Sequence, residues 1–245
     1  MTSQMVNAIA ALISAVFWPV FVVLLVIMFR EPLGQILTSF ESLTLRIGGQ
    51  ELGIRRAVDK AAERLIKSDL GAPKPVTPEQ MAAAEHVAHL ARGTGQPLVR
   101  EQMLDLAREY ERTRASMSPG DERTRRMEVV VTKMRTLGLA AYPYLSEFVR
   151  SPSPGERLAA IAILQVSPDP QYWDWLADRL REEQPFLGYH AAVALLTAVR
   201  ASTPADRDGL EGSLSKAKES LRALQDTDRA KVIDSAIQEL HHRQD

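Results

Sequence analysis

The chain has 245 residues, of which 45% are hydrophobic and 25% are charged, a balance typical of globular proteins rather than disordered or fibrous ones. Its 30 Lys and Arg residues and 31 Asp and Glu residues leave a formal net charge of −1, so no global electrostatic basis for nucleic-acid binding exists. The absence of cysteine excludes disulfides, thiolate nucleophiles and zinc–cysteine or iron–sulfur sites. The charge is distributed unevenly, because residues 1–29 contain no charged side chain.

Residues 8–29 form an uncharged apolar run that predicts a transmembrane helix within an anchor at 1–30. At about 1.5 Å per residue the run reaches roughly 33 Å, which is enough to cross a hydrocarbon core of about 30 Å. A cleaved signal peptide is disfavoured, because no Lys or Arg precedes the run and its second half is bulky. Lys and Arg residues follow the run instead, which predicts a body in the cytoplasm and an N terminus outside, at an inner or plasma membrane.

A stripe of small side chains lies at the start of this anchor. Asn7, Ala11 and Ala15 recur at four-residue spacing, which allows membrane helices to pack closely. They are therefore the candidate residues for transmembrane self-association and a homo-oligomer. The alternative is a chance pattern in an alanine-rich run that faces lipid.

Residues 31–70 are predicted to form a membrane-proximal stalk. An amphipathic helix is expected at 32–43, a β-hairpin around a Gly-Gly turn at 43–54, and a second helix at 52–69. The alternative to the hairpin is an extended irregular connector, because an isolated two-stranded ribbon is marginally stable in water.

A body at residues 79–245 follows a linker at 71–78, which three prolines make stiff and extended. No segment of the body has a strand pattern, and Gly or Pro stands at the borders of its apolar periodic segments, including Gly138. The fold class is therefore predicted to be all-α. The expected helices are 79–92, 97–116, 121–137, 139–150, 154–166, 169–182, 186–200, 206–224 and 228–242.

The body repeats itself at a period of 31–32 residues. The small and aliphatic run 159–164 matches 191–196 at an offset of 32. At an offset of 31, the aromatic and apolar residues Tyr142, Tyr144, Leu145 and Val149 align with Trp173, Trp175, Leu176 and Leu180. A helical period of this length indicates stacked helix hairpins, with three pairs and a terminal helix over 121–242. Whether residues 79–116 belong to this stack is left open.

This pattern resembles a short HEAT-like α-solenoid. More loosely, the runs at 151–160, 172–176 and 185–190 are similar to small helical modules of bacterial signalling and phage-defence proteins. The resemblance implies a surface for protein–protein interaction, but it supplies no activity and no site residues.

No catalytic, cofactor or metal site is predicted. The chain lacks a phosphate-binding loop, a zinc-protease helix and a nucleophile elbow. Glu85, His86 and His89 lie within about one helical turn, but a stable metal site needs three or four ligands with supporting hydrogen bonds. These side chains are therefore expected to be solvated. His190, at the start of a repeat helix, is expected to be a packed or capping residue.

Tyr172, Trp175 and Arg123 are the candidate partner-binding residues. Interfaces favour aromatic side chains, although core packing is as good an interpretation for Trp175. Trp173 follows core spacing and is predicted to be buried. Arg123 belongs to a run of mixed charge that is typical of a solvated helix face, and it could contact an acidic partner or anionic headgroups.

Together these features predict a single-pass, membrane-anchored, non-enzymatic adaptor or sensor that binds an unidentified protein partner and no nucleic acid. Confinement to the bilayer would raise the effective concentration of a partner without tight intrinsic binding. The alternative is an oligomerising effector that perturbs the membrane, in bacterial defence or signalling. A third hypothesis is an enzyme whose site is dispersed over separate helices.

Overall fold

Helices account for all the regular structure in the described part of this chain. The computed structural model describes residues 53–60, 62–63, 76–92, 95–224 and 227–242, and it contains no β-strand in those ranges. The predicted all-α class is therefore confirmed for this part of the chain.

Nine α-helices follow one another between residues 78 and 242 of the described chain. They are α1 Pro78–Leu90, α2 Gln96–Ser116, α3 Asp121–Ala141, α4 Leu145–Val149, α5 Pro154–Val166, α6 Trp173–Glu182, α7 Pro185–Ala201, α8 Arg207–Leu224 and α9 Thr227–His242. Short 3-10 turns precede α4, α6 and α8, at Tyr142–Tyr144, Pro170–Tyr172 and Pro204–Asp206.

Local sequence explains where most of these helices begin. A proline stands in the first turn of α1, α2, α5 and α7, where its missing N–H would have no partner inside the helix. At α1 the Thr77 hydroxyl accepts from the Gln80 N–H at 3.3 Å, and the Gln80 amide oxygen accepts from the Thr77 N–H at 3.3 Å. The Ser153 hydroxyl caps α5 by accepting from the Glu156 N–H at 3.1 Å.

Gly138 does not end a helix, so this predicted border is wrong. Helix α3 continues to Ala141, and the break occurs at the 3-10 turn that follows. A Cβ at Gly138 would lie 2.4 Å from Cγ2 of Val166 and 3.4 Å from Cα of Ile163. The glycine is therefore needed for the close approach of α3 and α5 rather than for a turn.

The helices of the body form a stack. Helices α1, α3, α5, α7 and α9 lie side by side, each packed on the next. Helix α2 packs on α3 and α5, α4 packs on α5, α6 packs on α7 and α8, and α8 also packs on α9. Residues 79–116 are therefore part of the same stack, within the compact unit Gln50–Asp245.

The predicted pairing of the helices is shifted by one element. Each of α2, α4, α6 and α8 packs more extensively on the helix that follows it than on the helix before it. The hairpins are thus α2/α3, α4/α5, α6/α7 and α8/α9, rather than three pairs that begin at residue 121. A sequence period defines the length of a repeat but not the residue at which its packing unit starts.

The matched runs of the repeat form the centre of the core. No residue of 159–164 or 191–196 is more than 5% exposed. Trp173 is 6% exposed, so its predicted burial is confirmed. The aligned Tyr144 and Trp175 are both half-buried against the core.

The N-terminal part of the chain is described only in part. The predicted transmembrane helix at 8–29, the amphipathic helix at 32–43 and residues 43–52 of the predicted hairpin lie outside the described residues. Within the described ranges, none of the helices combines the length and the apolar character that a membrane crossing requires.

Residues 53–60 are helical, as predicted for 52–69. Ile54 and Val58, four positions apart, are 1% and 4% exposed and join the core cluster of the body. Gly53 and Ile54 therefore belong to a helix and not to the end of the predicted hairpin. A strand would place Arg56 on the same face as Ile54 and Val58, but Arg56 is exposed, as expected for a helix that buries one face.

Candidate ligand-binding cleft

A cleft of about 620 Å³ lies where four helices of the stack meet. The C-terminal half of α2 lines it with Tyr110 and Arg114, and the first turns of α3 line it with Arg123 and Glu128. The first turns of α7 and α9 complete the wall, through the side chains of Phe186, Tyr189, Asp228 and Lys231. The volume is within the range of sites for small organic ligands, roughly 300–1,000 Å³.

Aromatic rings form the apolar part of this wall. Tyr110 and Phe186 are stacked, with ring centroids 5.8 Å apart and an angle of 22° between the planes. The His190 ring lies edge-on to Phe186 at 4.6 Å and to Tyr189 at 5.9 Å. Phe186 and Tyr189 are half-buried, so part of each ring faces the cleft.

The Tyr110 hydroxyl is buried in this wall without a hydrogen bond of ordinary geometry. Tyr110 is 1% exposed, and burial raises the pKa of its hydroxyl, while the charge of Arg114, a hydrogen bond from Arg114 and the charge of Arg123 oppose the increase. The Arg114 contact lies outside ordinary hydrogen-bond geometry, so it offsets only part of the cost of about 1–3 kcal/mol for a buried unpaired hydroxyl. The cleft therefore contains a polar group whose hydrogen bonding an added partner would improve.

Two arginines beside Tyr110 have no carboxylate partner among the described residues. Arg123 donates from Nη1 to the Met117 carbonyl at 3.4 Å, and its Nε is buried without an acceptor. Arg114 makes no ion pair within the same part of the chain. Lys231, by contrast, is paired with Asp228 at 3.4 Å at the open rim. Two guanidinium groups are thus available to an anion.

A buried polar network that includes the cleft residue Glu128 joins α3, α5 and α7. His190 Nε2 lies 3.1 Å from Glu128 Oε1, and His190 Nδ1 lies 3.5 Å from Arg135 Nη2. The Gln165 side chain accepts from Arg135 Nε and donates to the His190 carbonyl at 2.6 Å. Gln165 and His190 are fully buried, so the expectation that His190 is a packed residue is confirmed.

The charges of this network favour an ionised Glu128. Burial by itself raises the pKa of this carboxyl. The charge and hydrogen bond of His190, together with the charge of Arg135, outweigh burial, and the net pKa of Glu128 is lowered. The carboxylate is therefore engaged in holding α3 to α7.

The predicted partner-binding residues lie in two different places. Arg123 lines the cleft, whereas Tyr172 and Trp175 lie at the beginning of α6 and do not contribute to it. Both aromatic side chains are half-buried against the core, and the Arg179 guanidinium lies 5.2 Å from the Trp175 ring. Asn7, Ala11 and Ala15 lie outside the described residues.

The candidate metal ligands lie apart from the cleft. Glu85, His86 and His89 are exposed on α1. In the part of the chain that the structure describes, no three His, Asp or Glu side chains converge to hold a metal ion.

Sequence reasoning missed most of the cleft. Tyr110 and Arg114 are one helical turn apart, and Phe186 and Tyr189 share a face of α7, but neither pair differs from an ordinary amphipathic pattern. Only the stacking of α2, α3, α7 and α9 brings them together.

Comparison with protein-family models, with curated proteins and with solved structures found no match for this chain. The HEAT-like resemblance therefore depends on the internal repeat alone.

Proposed function

We propose that this chain is a membrane-anchored, non-enzymatic sensor or adaptor whose helical body binds its ligand in the cleft between α2, α3, α7 and α9. One observation carries the proposal. Two arginines that make no ion pair among the described residues, and a buried hydroxyl with no hydrogen bond of ordinary geometry, stand next to an apolar aromatic wall in a single cleft. Such a combination of apolar surface and a few convergent polar groups is typical of ligand sites.

Binding is favoured over catalysis because the acids and bases at the cleft are already paired. Glu128 is held by His190, and Asp228 is held by Lys231. A general acid or base needs a proton-carrying group that is free to reach a substrate. The groups that stay available, Arg114 and Arg123, are suited to holding an anion.

The position of the cleft suggests how binding would be transmitted. Its walls come from α2 and α3, early in the stack, and from α7 and α9, at its end. A ligand that contacts Arg123 and Phe186 together would bias the packing of these helices. The predicted anchor at residues 1–30 would keep the response at the membrane, where confinement strengthens the recruitment of a protein partner.

The test is a comparative pull-down with full-length protein in detergent. Wild type, Arg123→Gln and Arg125→Gln are compared, since Arg125 is an exposed neighbour on α3 that pairs with Glu122. We expect wild type and Arg125→Gln to recover the same protein partner, and Arg123→Gln to recover a changed amount. Equal recovery by all three variants would contradict a role for the cleft.

A different outcome would favour the alternative function. If full-length protein recovers no partner but only itself, as a large oligomer, the adaptor proposal is wrong. Ala11→Leu and Ala15→Leu would then test whether the small-residue stripe is responsible, because bulky side chains prevent close helix packing.

A further inference from the structure

We propose that the cleft binds a nucleoside phosphate, a small ligand in which a planar ring is joined to an anionic group. This inference rests on the proposed function and adds the chemical class of the ligand. It follows from the shape of the wall, from the charges that have no partner, and from the position of the Tyr110 hydroxyl.

The aromatic wall fits the planar part of such a ligand. Phe186 and Tyr189 are half-buried, and both line the cleft. Tyr110 stacks on Phe186 and the His190 ring meets it edge-on, at ring-centroid distances of 5.8 and 4.6 Å, and these contacts hold Phe186 in place. Flat rings prefer offset stacking or edge-on contact with one another, and a nucleobase can use either arrangement.

The cations fit the phosphate part. Three cationic side chains, Arg114, Arg123 and Lys231, face the cleft together with two carboxylates, Glu128 and Asp228. Both carboxylates are already paired, with His190 and with Lys231. The two guanidinium groups are left without a carboxylate among the described residues, and their forked N–H groups match the geometry of phosphate oxygens.

Two helix ends reinforce this preference for an anion. Helices α3 and α7 begin at the cleft, with Gly120 and Gln184 at their N-caps. Asp121 and Glu122 offset part of the positive end of α3, whereas the first turn of α7 has no acidic side chain. The first N–H groups of a helix carry partial positive charge and attract phosphate. The helix ends add to the attraction that the two arginines exert on an anion. The arginines and the buried Tyr110 hydroxyl remain the main reasons to expect a phosphate here.

The unpaired groups also explain why both parts of the ligand are required. The Tyr110 hydroxyl has no hydrogen bond of ordinary geometry, the buried Nε of Arg123 has no acceptor among the described residues, and both side chains line the cleft. A nucleoside alone would leave the charges of the arginines unneutralised. Inorganic phosphate alone would leave the aromatic rings without a stacking partner. We therefore expect the whole nucleotide to bind more tightly than either fragment.

The experiment is isothermal titration calorimetry of full-length protein in detergent. ATP and GTP are titrated as the complete probes, adenosine as the ring alone, and tripolyphosphate as the anion alone. We expect at least one nucleotide to bind about tenfold or more tightly than both fragments, and its affinity to fall with added salt.

Variants locate the binding. Arg123→Gln and Arg114→Gln should each weaken nucleotide binding by about tenfold, whereas the neighbouring control Arg125→Gln should leave it unchanged. Tyr110→Phe removes a buried hydroxyl that makes no hydrogen bond of ordinary geometry, so it should keep or improve thermal stability and still weaken nucleotide binding. This opposite effect on stability and affinity separates a ligand contact from a structural role.

Three results would overturn the assignment. They are the absence of nucleotide binding at millimolar concentration to helical wild-type protein, equally tight binding of one fragment, and binding that Arg123→Gln and Tyr110→Phe leave unchanged. If nucleotides do not bind but Arg123→Gln still alters partner recovery, only the ligand class is wrong. If nucleotides bind but no partner is recovered, the adaptor role fails instead.

Discussion

His190 Nε2 lies 3.1 Å from Oε1 of Glu128 and thereby joins α7 to α3 across the base of the cleft. The two residues are 62 positions apart, and the imidazole is fully buried while the carboxylate is partly exposed. Arg135 and Gln165 complete the network from the other side. The polar groups are thus placed where three helices of the stack meet, so their pairing contributes to the register of the stack.

Glu128→Gln should destabilise the fold at neutral pH and reduce its pH dependence. Removing one partner of a buried charge pair leaves the other partners uncompensated, and we expect a loss of about 2 kcal/mol. The folded pKa of Glu128 is lowered, so its stabilisation is fully present above the unfolded value and is lost as the pH falls through the folded value. Urea unfolding of both proteins, at neutral pH and in acid, measures the difference.

The control for this prediction is Glu122→Gln. Glu122 is 56% exposed at the side chain, and its partners among the described residues are the exposed Arg125 and Arg126. Its replacement should change the free energy of unfolding by less than about 1 kcal/mol. A Glu128→Gln variant that is as stable as this control, with the acid dependence of wild type, would show that the network does not stabilise the stack.

Glu183→Ala should lower the stability of the fold more than most substitutions of a charged residue. The Glu183 side chain is 4% exposed and accepts from Arg157 and Arg179, which are 18% and 14% exposed. Its loss leaves two largely buried cations without their shared anion, and we expect a cost of about 3 kcal/mol. The neighbouring Glu182, 45% exposed, provides the matched comparison, and Glu182→Ala should cost less than about 1 kcal/mol. Thermal unfolding followed by circular dichroism measures both, and equal costs would contradict the prediction.

Gly138→Ala should destabilise the body although alanine is the better helix former. The new Cβ would lie 2.4 Å from Cγ2 of Val166, and overpacking of this kind costs about 1–3 kcal/mol. Adding Val166→Ala should recover part of the loss. Gly212 in α8 has open space where its Cβ would be, so Gly212→Ala should stabilise by up to about 1 kcal/mol. Chemical unfolding compares the variants, and a stabilising Gly138→Ala would rule out a close contact between α3 and α5.

Tyr142 should titrate far above an ordinary tyrosine. Its hydroxyl donates to Asp169 Oδ2 at 2.6 Å, and this hydrogen bond is the main reason that the pKa of Tyr142 rises from 10.0 to about 12. Because the folded pKa is the higher one, this contribution to stability is present below the unfolded value and is lost as the pH rises through the folded value.

The measurement is the phenolate absorbance of wild type minus that of Tyr142→Phe. Asp169→Asn should move the titration of Tyr142 back toward its ordinary value, because the acceptor loses its charge. A wild-type difference curve centred near the ordinary value would show that the Tyr142–Asp169 hydrogen bond does not persist in solution.

Local signals in the sequence predicted the helices well. The predicted helix starts at 79, 154 and 186 lie within one residue of the observed starts at 78, 154 and 185, because caps and prolines act on the turn in which they stand. Gly138 was misread, because a glycine that permits a close helix crossing has the same appearance in a sequence as one that ends a helix. The pairing of the helices was misread for a related reason, since a period has no starting point.

Only one residue of the candidate site was predicted from the sequence. Arg123 was singled out from a charged run, but Tyr110, Arg114 and Phe186 have no unusual pattern around them. They become a site because the stack places four helices around one cleft.

The sequence by itself determined the all-α class, the burial of the repeated aliphatic runs and most helix borders, because these depend on capping and periodicity over a few neighbouring residues. The tertiary structure decided the helix pairing, the glycine contact at residue 138 and the Glu128–His190 pair. It also decided the convergence of aromatic and cationic side chains at the cleft. These features depend on how helices distant in sequence pack against one another. Which helices pack together is determined by complementary shape and charge in three dimensions.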